Sequence, residues 1–197
     1  MRDVHQIELF YFGDTTSPRR SLTSMSHGNQ FRTRIGFTTP DGLDVAGNLE
    51  LESAGSVLEW SSFTFHGDGR TVTAERTSDG VNVAGNFMSL SGPALPGYAC
   101  LLLVLDLVDS NHERIDFTWL TETADNPARP ASLQLKPNDM VSSPVRGNVE
   151  DCRRVELTVS GERTNTYWVK DGEVIASDWA RTQSFALPRE VVRSLSQ

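Results

Sequence analysis

Apolar and polar residues alternate with a period of two along most of this chain, and turn-forming dipeptides interrupt the alternation at intervals. Leu43, Val45, Leu49 and Leu51 alternate with Asp44, Ala46, Asn48 and Glu50. Val155, Leu157 and Val159 alternate with Arg154, Glu156 and Thr158, and Ile115, Phe117 and Trp119 with Asp116 and Thr118. A period of two sends successive side chains to opposite faces, so each segment offers one face to a core and one to water or a lumen. Pro40-Asp41-Gly42, Gly67-Asp68-Gly69, Ser78-Asp79-Gly80, Ser160-Gly161 and Asp171-Gly172 separate the segments. Asp-Gly suits the positive φ angles of tight hairpins. The pattern predicts about ten strands, and at most about twelve, in one antiparallel all-β domain.

An internal repeat supports the hairpin reading. Asp41-Gly42-Leu43-Asp44-Val45-Ala46-Gly47-Asn48-Leu49 matches Asp79-Gly80-Val81-Asn82-Val83-Ala84-Gly85-Asn86-Phe87, and a fainter copy runs from Asp171 to Trp179. Each copy reads as a turn entering a strand, with Gly47, Gly85 or Ser177 in its middle as a bend, a bulge or a close backbone approach. Residues 13–30, rich in Ser, Thr, Arg and Gly, read as a long loop. Residues 121–131 and 136–150, with Pro127, Pro130, Pro137 and Pro144, read as irregular connections. Tyr98 to Val108 reads as a buried strand or a short helix, which periodicity does not decide. Pro188-Arg189-Glu190 before Val191, Val192 and Leu195 predicts one short C-terminal helix. No interdomain linker is visible, so residues 1–197 read as a single domain.

Charge and composition narrow the partners. The 197 residues carry a net charge of −8, which disfavours nucleic acid and anionic membrane surfaces. The longest apolar run, Tyr98 to Leu105, is far short of the ~20 residues that span a bilayer. Without a recognisable export signal the expectation is a cytoplasmic protein, with Cys100 and Cys152 as reduced thiols. Sixteen Arg against two Lys suggest a GC-rich bacterial source. The four histidines, at 5, 27, 66 and 112, lack metal-ligand spacing. No phosphate-cradling glycine loop, dinucleotide fingerprint or nucleophile elbow is present. The expectation is therefore no metal and no cofactor.

Several residues are candidates for chemistry. Read as a strand, 98–108 sets Tyr98, Cys100, Leu102, Val104 and Asp106 on one face. A carboxyl there is desolvated and poised as a general acid or base; the plain alternative is a solvated element end. His66 stands at a strand end before a Gly-Asp-Gly turn, a position for acid–base work or simply for a turn. Tyr98 and Tyr167 are candidate hydrogen-bond donors to a carbonyl. Cys152 beside Arg153 and Arg154 is a weaker candidate as a thiolate. Trp60, Trp119, Trp168 and Trp179 fall on four different predicted strands and, with Phe87, are candidate ligand contacts, or alternatively filled core.

Size, successive hairpins and spread tryptophans, over about residues 31–187, resemble the layout of calycin-type, lipocalin-like β-barrels. The resemblance lies in layout, with no signature motif, and a β-sandwich is the alternative. Among barrels of this kind are cofactor-free bacterial cyclases that fold polyketide-like chains, such as the spirotetronate [4+2] cyclases. The resemblance implies an apolar small molecule in a barrel cavity and a cofactor-independent cyclase or isomerase of secondary metabolism. A non-catalytic carrier or sensor of a lipid-like ligand is the second expectation, and a β-sandwich interaction module the third. A monomer or homodimer is expected.

Overall fold

The computed structural model describes residues 5–12, 19–38, 42, 44–67, 69–110, 112–122, 128–179, 181–188 and 190–192. Among these residues fifteen strands form a single, largely antiparallel sheet. Two meanders join side by side. The first comprises β1 (His5–Tyr11), β2 (Arg19–His27), β3 (Gln30–Thr38), β4 (Asp44–Ser53), β5 (Trp60–Gly67), β6 (Arg70–Arg76), β7 (Gly80–Val83) and β8 (Asn86–Ser89). After the short β9 (Ala94–Pro96) and the helix α1 (Cys100–Asp109), the second comprises β10 (Arg114–Leu120), β11 (Ala128–Ser143), β12 (Gly147–Val159), β13 (Glu162–Lys170), β14 (Glu173–Trp179) and β15 (Thr182–Phe185). β15 pairs with β1, and β9 adds to β10 as the one parallel neighbour. The sheet is open, with β8 and β9 at its edges. The all-β expectation holds at this level; a closed barrel of about ten strands is not what the pairing shows.

The additional strands come from segments that composition misread. Most of the expected 13–30 loop is β2 and the turn into β3, and its residues 13–18 lie outside the described residues. Serines in β2 are buried and find partners there: Ser21 Oγ donates to Leu9 O at 3.0 Å and Ser24 meets Thr33 Oγ1 at 2.9 Å. Of the 121–131 segment, residues 128–131 open β11 while 123–127, with Pro127, lie outside the described residues; 136–150 is largely the turn region of the long β11–β12 hairpin. Its register slips near Lys136, Asp139 and Val141, so Pro137 sits where the ladder is already broken. The repeat also divides. Val45-Ala46-Gly47-Asn48 runs straight through β4, whereas Ala84-Gly85, at φ 51° and 85°, form the β7–β8 turn. One tetrapeptide serves both conformations because its neighbours, and not its own preferences, decide the ladder. The C-terminal segment begins a helical turn at 190–192, where the Val191 and Val192 amides donate to Pro188 O at 3.0 and 3.1 Å.

Residues 98–108 resolve as a helix. Tyr98 lies in a 3-10 turn, Gly97–Ala99, that leads directly into α1. Leu101, Leu102, Leu103, Val104, Leu107 and Val108 are all buried; a helix apolar over most of its circumference, with Asp106 and Asp109 as its only charges, has to be largely enclosed. The sheet curls around it, each buried leucine contributing roughly 2 kcal/mol. Trp60 Nε1 donates to Ala94 O at 2.6 Å, and the Arg76 guanidinium reaches Leu58 O at 2.6 Å and Gly92 O at 3.2 Å. These bonds tie β5 and β6 to the approach of β9, across the interior from one meander to the other. At the far end of the helix Arg153 Nη1 donates to Val108 O at 2.7 Å. That cation satisfies a C-terminal carbonyl and complements the helix dipole.

Candidate functional site

The two halves of the interior differ in chemistry. β4 to β7 present Leu49, Leu51, Phe63, Phe65, Val72, Ala74, Val81 and Val83 inward, all buried. β13 to β15 present Asn165, Tyr167, Ser177, Thr182 and Ser184, all buried as well. On this polar half, cross-strand register sets Asn165, Trp179 and Thr182 in one row across β13, β14 and β15. Partners directly opposite in a sheet stand about 5 Å apart, so both polar side chains flank the indole. Asn165 Nδ2 donates to Tyr167 Oη at 2.8 Å. Asn165 Oδ1 and Thr182 Oγ1, by contrast, have no hydrogen-bond partner among the described residues. Asn165 is 1% exposed and Thr182 8%, and an unmade bond at such a depth costs about 1–3 kcal/mol.

Aromatic rings surround this row. Trp179 lies 5.5 Å from Tyr98 and 6.2 Å from Phe37, and Tyr98 stacks on Phe65 at 5.1 Å. Tyr11 closes the group edge-on against Phe37 at 6.5 Å. Tyr98 and Trp179 are half-buried, so they stand between solvent and the buried polar atoms. The close packing depends on glycine: a Cβ at Gly47 would lie 2.6 Å from the Phe65 ring and 3.2 Å from Tyr98. A Cβ at Gly97 would lie 2.3 Å from the Trp119 ring.

Glu122, just past the end of β10, is the buried ion of this region. Its carboxylate accepts the Tyr98 amide at 2.8 Å, together with the amides of Gly97 and of Glu122 itself. It thereby caps from a distance the 3-10 turn and α1, whose own flanking residues Pro96 and Ala99 supply no side-chain cap. Burial pushes its carboxyl up to about 7, outweighing the N–H bonds that favour the ion. Cys100 lies within reach of the Glu122 charge; burial first and that charge second raise its thiol well above the usual value. Burial likewise holds the Tyr167 phenol protonated, with Cys100 adding to the effect and Asn165 opposing it.

The residues selected from the sequence distribute over several places. Tyr98, Tyr167 and Trp179 meet at the site just described. Asp106 is on α1, eight residues beyond Tyr98 and so roughly 12 Å along the helix. It lines a separate cavity of ≈440 Å³ with Leu102, Leu105, Phe31 and Val57. His66 is exposed on the outer side of β5, with Nδ1 3.0 Å from Thr71 Oγ1. Trp60 is core, 1% exposed and 5.4 Å from Phe63. Trp119 packs on Gly97. Trp168 faces the outer side, beneath the β11–β12 hairpin, with Val141, Cys152 and Phe185. Phe87 is 58% exposed on β8 at the edge of the sheet. Cys152 is a buried thiol whose pKa burial raises, the reverse of an activated thiolate.

Glu122, Asn165 and Thr182 carried no distinguishing sequence signal of their own. The available clue was positional, since Asn165 stands two residues before Tyr167 and Glu122 two after Leu120, both on buried faces. Among the described residues no three His, Cys, Asp or Glu side chains come together as metal ligands. No described helix is long and apolar enough to cross a membrane. No family model matches the chain, and no curated protein or solved structure matches it.

Proposed function

We propose that the protein binds an apolar small molecule carrying a hydroxyl or N–H group, at the Tyr98–Trp179 end of the rolled sheet. The carrying observation is the pair of buried, unpartnered oxygens, Asn165 Oδ1 and Thr182 Oγ1, on either side of Trp179. Phe37, Tyr98 and Trp179 supply apolar area and ring faces, and the two oxygens fix the polar end of the ligand. This is the carrier or sensor form of the expectation raised by the lipocalin-like layout. The test is a fluorescence titration with 2-naphthol, an aromatic ring bearing one hydroxyl. Saturable quenching that Trp179→Phe removes and Thr182→Val weakens supports the site; equal quenching in all three proteins refutes it.

A second reading, the cofactor-independent isomerase or cyclase, is favoured by one observation: Glu122 is a buried carboxyl held on the Tyr98 amide at 2.8 Å, and that burial pushes its pKa up to about 7. A group balanced at neutral pH both takes and returns a proton, and confinement of a flexible ligand supplies the remaining advantage. Tyr98 and Tyr167 would hydrogen-bond a carbonyl of the substrate. The test is hydrogen–deuterium exchange at the α-carbon of 2-tetralone in D2O. This reading requires exchange above the buffer rate in the wild type and its loss in Glu122→Gln, with 2-naphthol binding retained.

A further inference from the structure

The outer side of the first meander carries a feature unrelated to the interior site. Alternation points Arg32, Arg34 and Gly36 of β3 outward. Register aligns Thr23, Arg34, Asn48 and His66 in one row across β2 to β5. The adjoining row pairs Gly36 with Ala46, so almost nothing stands on that part of the surface. The result is a depression of ≈710 Å³, with Arg20, Arg32 and Arg34 around it and Glu8 as the one carboxylate among its described lining residues. Arg20 is held by Glu8 at 3.1 Å and lies over the Phe10 ring; Arg32 meets Glu50 at 3.4 Å. Arg34 makes no ion pair among the described residues. Three guanidiniums on one concavity stand against the net charge of −8 of the whole chain.

We propose that this depression binds a soluble organic phosphate, with Arg34 as its main anchor and Arg20, Arg32 and Asn48 around it. Guanidinium forks match phosphate oxygens two at a time, and an unpaired one has its donors available. Arg32 and Arg34 are two residues apart on one face, about 7 Å between Cα atoms, so both reach one group with several charged oxygens. A single carboxylate would leave most of these donors unused. The acidic chain as a whole is repelled by an anionic bilayer, and the cations line a hollow that a flat surface does not enter. The occupant is therefore a free phosphate compound rather than a lipid headgroup.

Isothermal titration of the full chain with sodium pyrophosphate at low salt tests this, alongside sedimentation with phosphatidylglycerol vesicles. Two variants accompany the wild type. Arg34→Ala removes the anchor. Gly36→Glu puts a carboxylate into the hollow at a position where an added Cβ meets nothing within 4 Å, so the fold is undisturbed. Expected is saturable one-site binding that weakens at least about tenfold in both variants, with melting temperatures unchanged and no vesicle sedimentation. Absence of saturable binding, or wild-type affinity in both variants, overturns the proposal. Vesicle sedimentation that Arg34→Ala abolishes, without pyrophosphate binding, overturns the assignment to a soluble ligand.

Discussion

The inner surfaces of β4–β7 and β13–β15 enclose the same helix and are opposite in kind. The first is a close-packed apolar wall in which Phe63, Leu49 and Leu51 are 1–2% exposed. The second is equally buried but carries Asn165, Tyr167, Ser177, Thr182 and Ser184. If enclosure of α1 were the sole task of the sheet, both halves would be expected to be apolar, because burying polar groups brings no gain over well-packed hydrocarbon. Burial alone therefore does not mark the apolar core. The polar half is as deeply buried as the apolar one and leaves two oxygens unpartnered among the described residues, and it is on these that the proposed ligand site rests.

That difference can be broken by substitution. Truncating the apolar wall has the largest effect: Phe63→Ala is expected to cost about 3–5 kcal/mol in urea unfolding, through lost burial and the cavity left behind. A loss under about 1 kcal/mol would mean that this wall is loosely packed and the contrast overstated.

Next comes Glu122, at the junction of both halves with the helix. Its folded-state pKa of about 7 lies above the ordinary carboxyl value of 4.5, so the folded protein holds this proton more tightly than the unfolded chain does. Its contribution to stability is full below the unfolded value, declines as pH rises through the interval, and is lost above about 7. The loss from pH 4 to pH 8 is about 3 kcal/mol, and Glu122→Gln is expected to remove this slope from the unfolding free energy. An unchanged slope in the variant would show that the carboxylate is ionised and solvated in the fold.

The smallest expected effect lies on the polar half. Thr182→Val replaces a hydroxyl that makes no hydrogen bond among the described residues, so stability should change by less than about 0.5 kcal/mol, or rise. A loss of more than about 1 kcal/mol would mean that the hydroxyl does have a structural partner, and would weaken the case for a ligand there.

How far the sequence reveals this molecule follows from where its signals are local. Alternation and Asp-Gly turns identify the strands that pair with chain neighbours, such as β12 to β14, because register and hairpin chemistry are set within a few residues. They miss β2, whose buried serines read as loop yet bond to Leu9 O and Thr33 across adjacent strands. They leave 98–108 undecided, since a segment apolar at nearly every position shows neither a period of two nor one of 3.6. Of the site, Tyr98, Tyr167 and Trp179 are legible as candidates. Their convergence is not, because it depends on the curl that brings β3, β5 and the turn before α1 against β14. Asn165, Thr182 and Glu122 are ordinary polar residues whose meaning comes entirely from depth.

The central claim is that the polar half of the interior receives a ligand at Trp179. An amide-resolved NMR titration with 2-naphthol tests it most directly. The account predicts saturable shifts of the Trp179 indole N–H, the Asn165 side-chain amide and the Thr182 backbone amide, with Phe63 and Arg34 unmoved. Shifts confined to the outer surface, or none on the β13–β15 row at saturating probe, would contradict it.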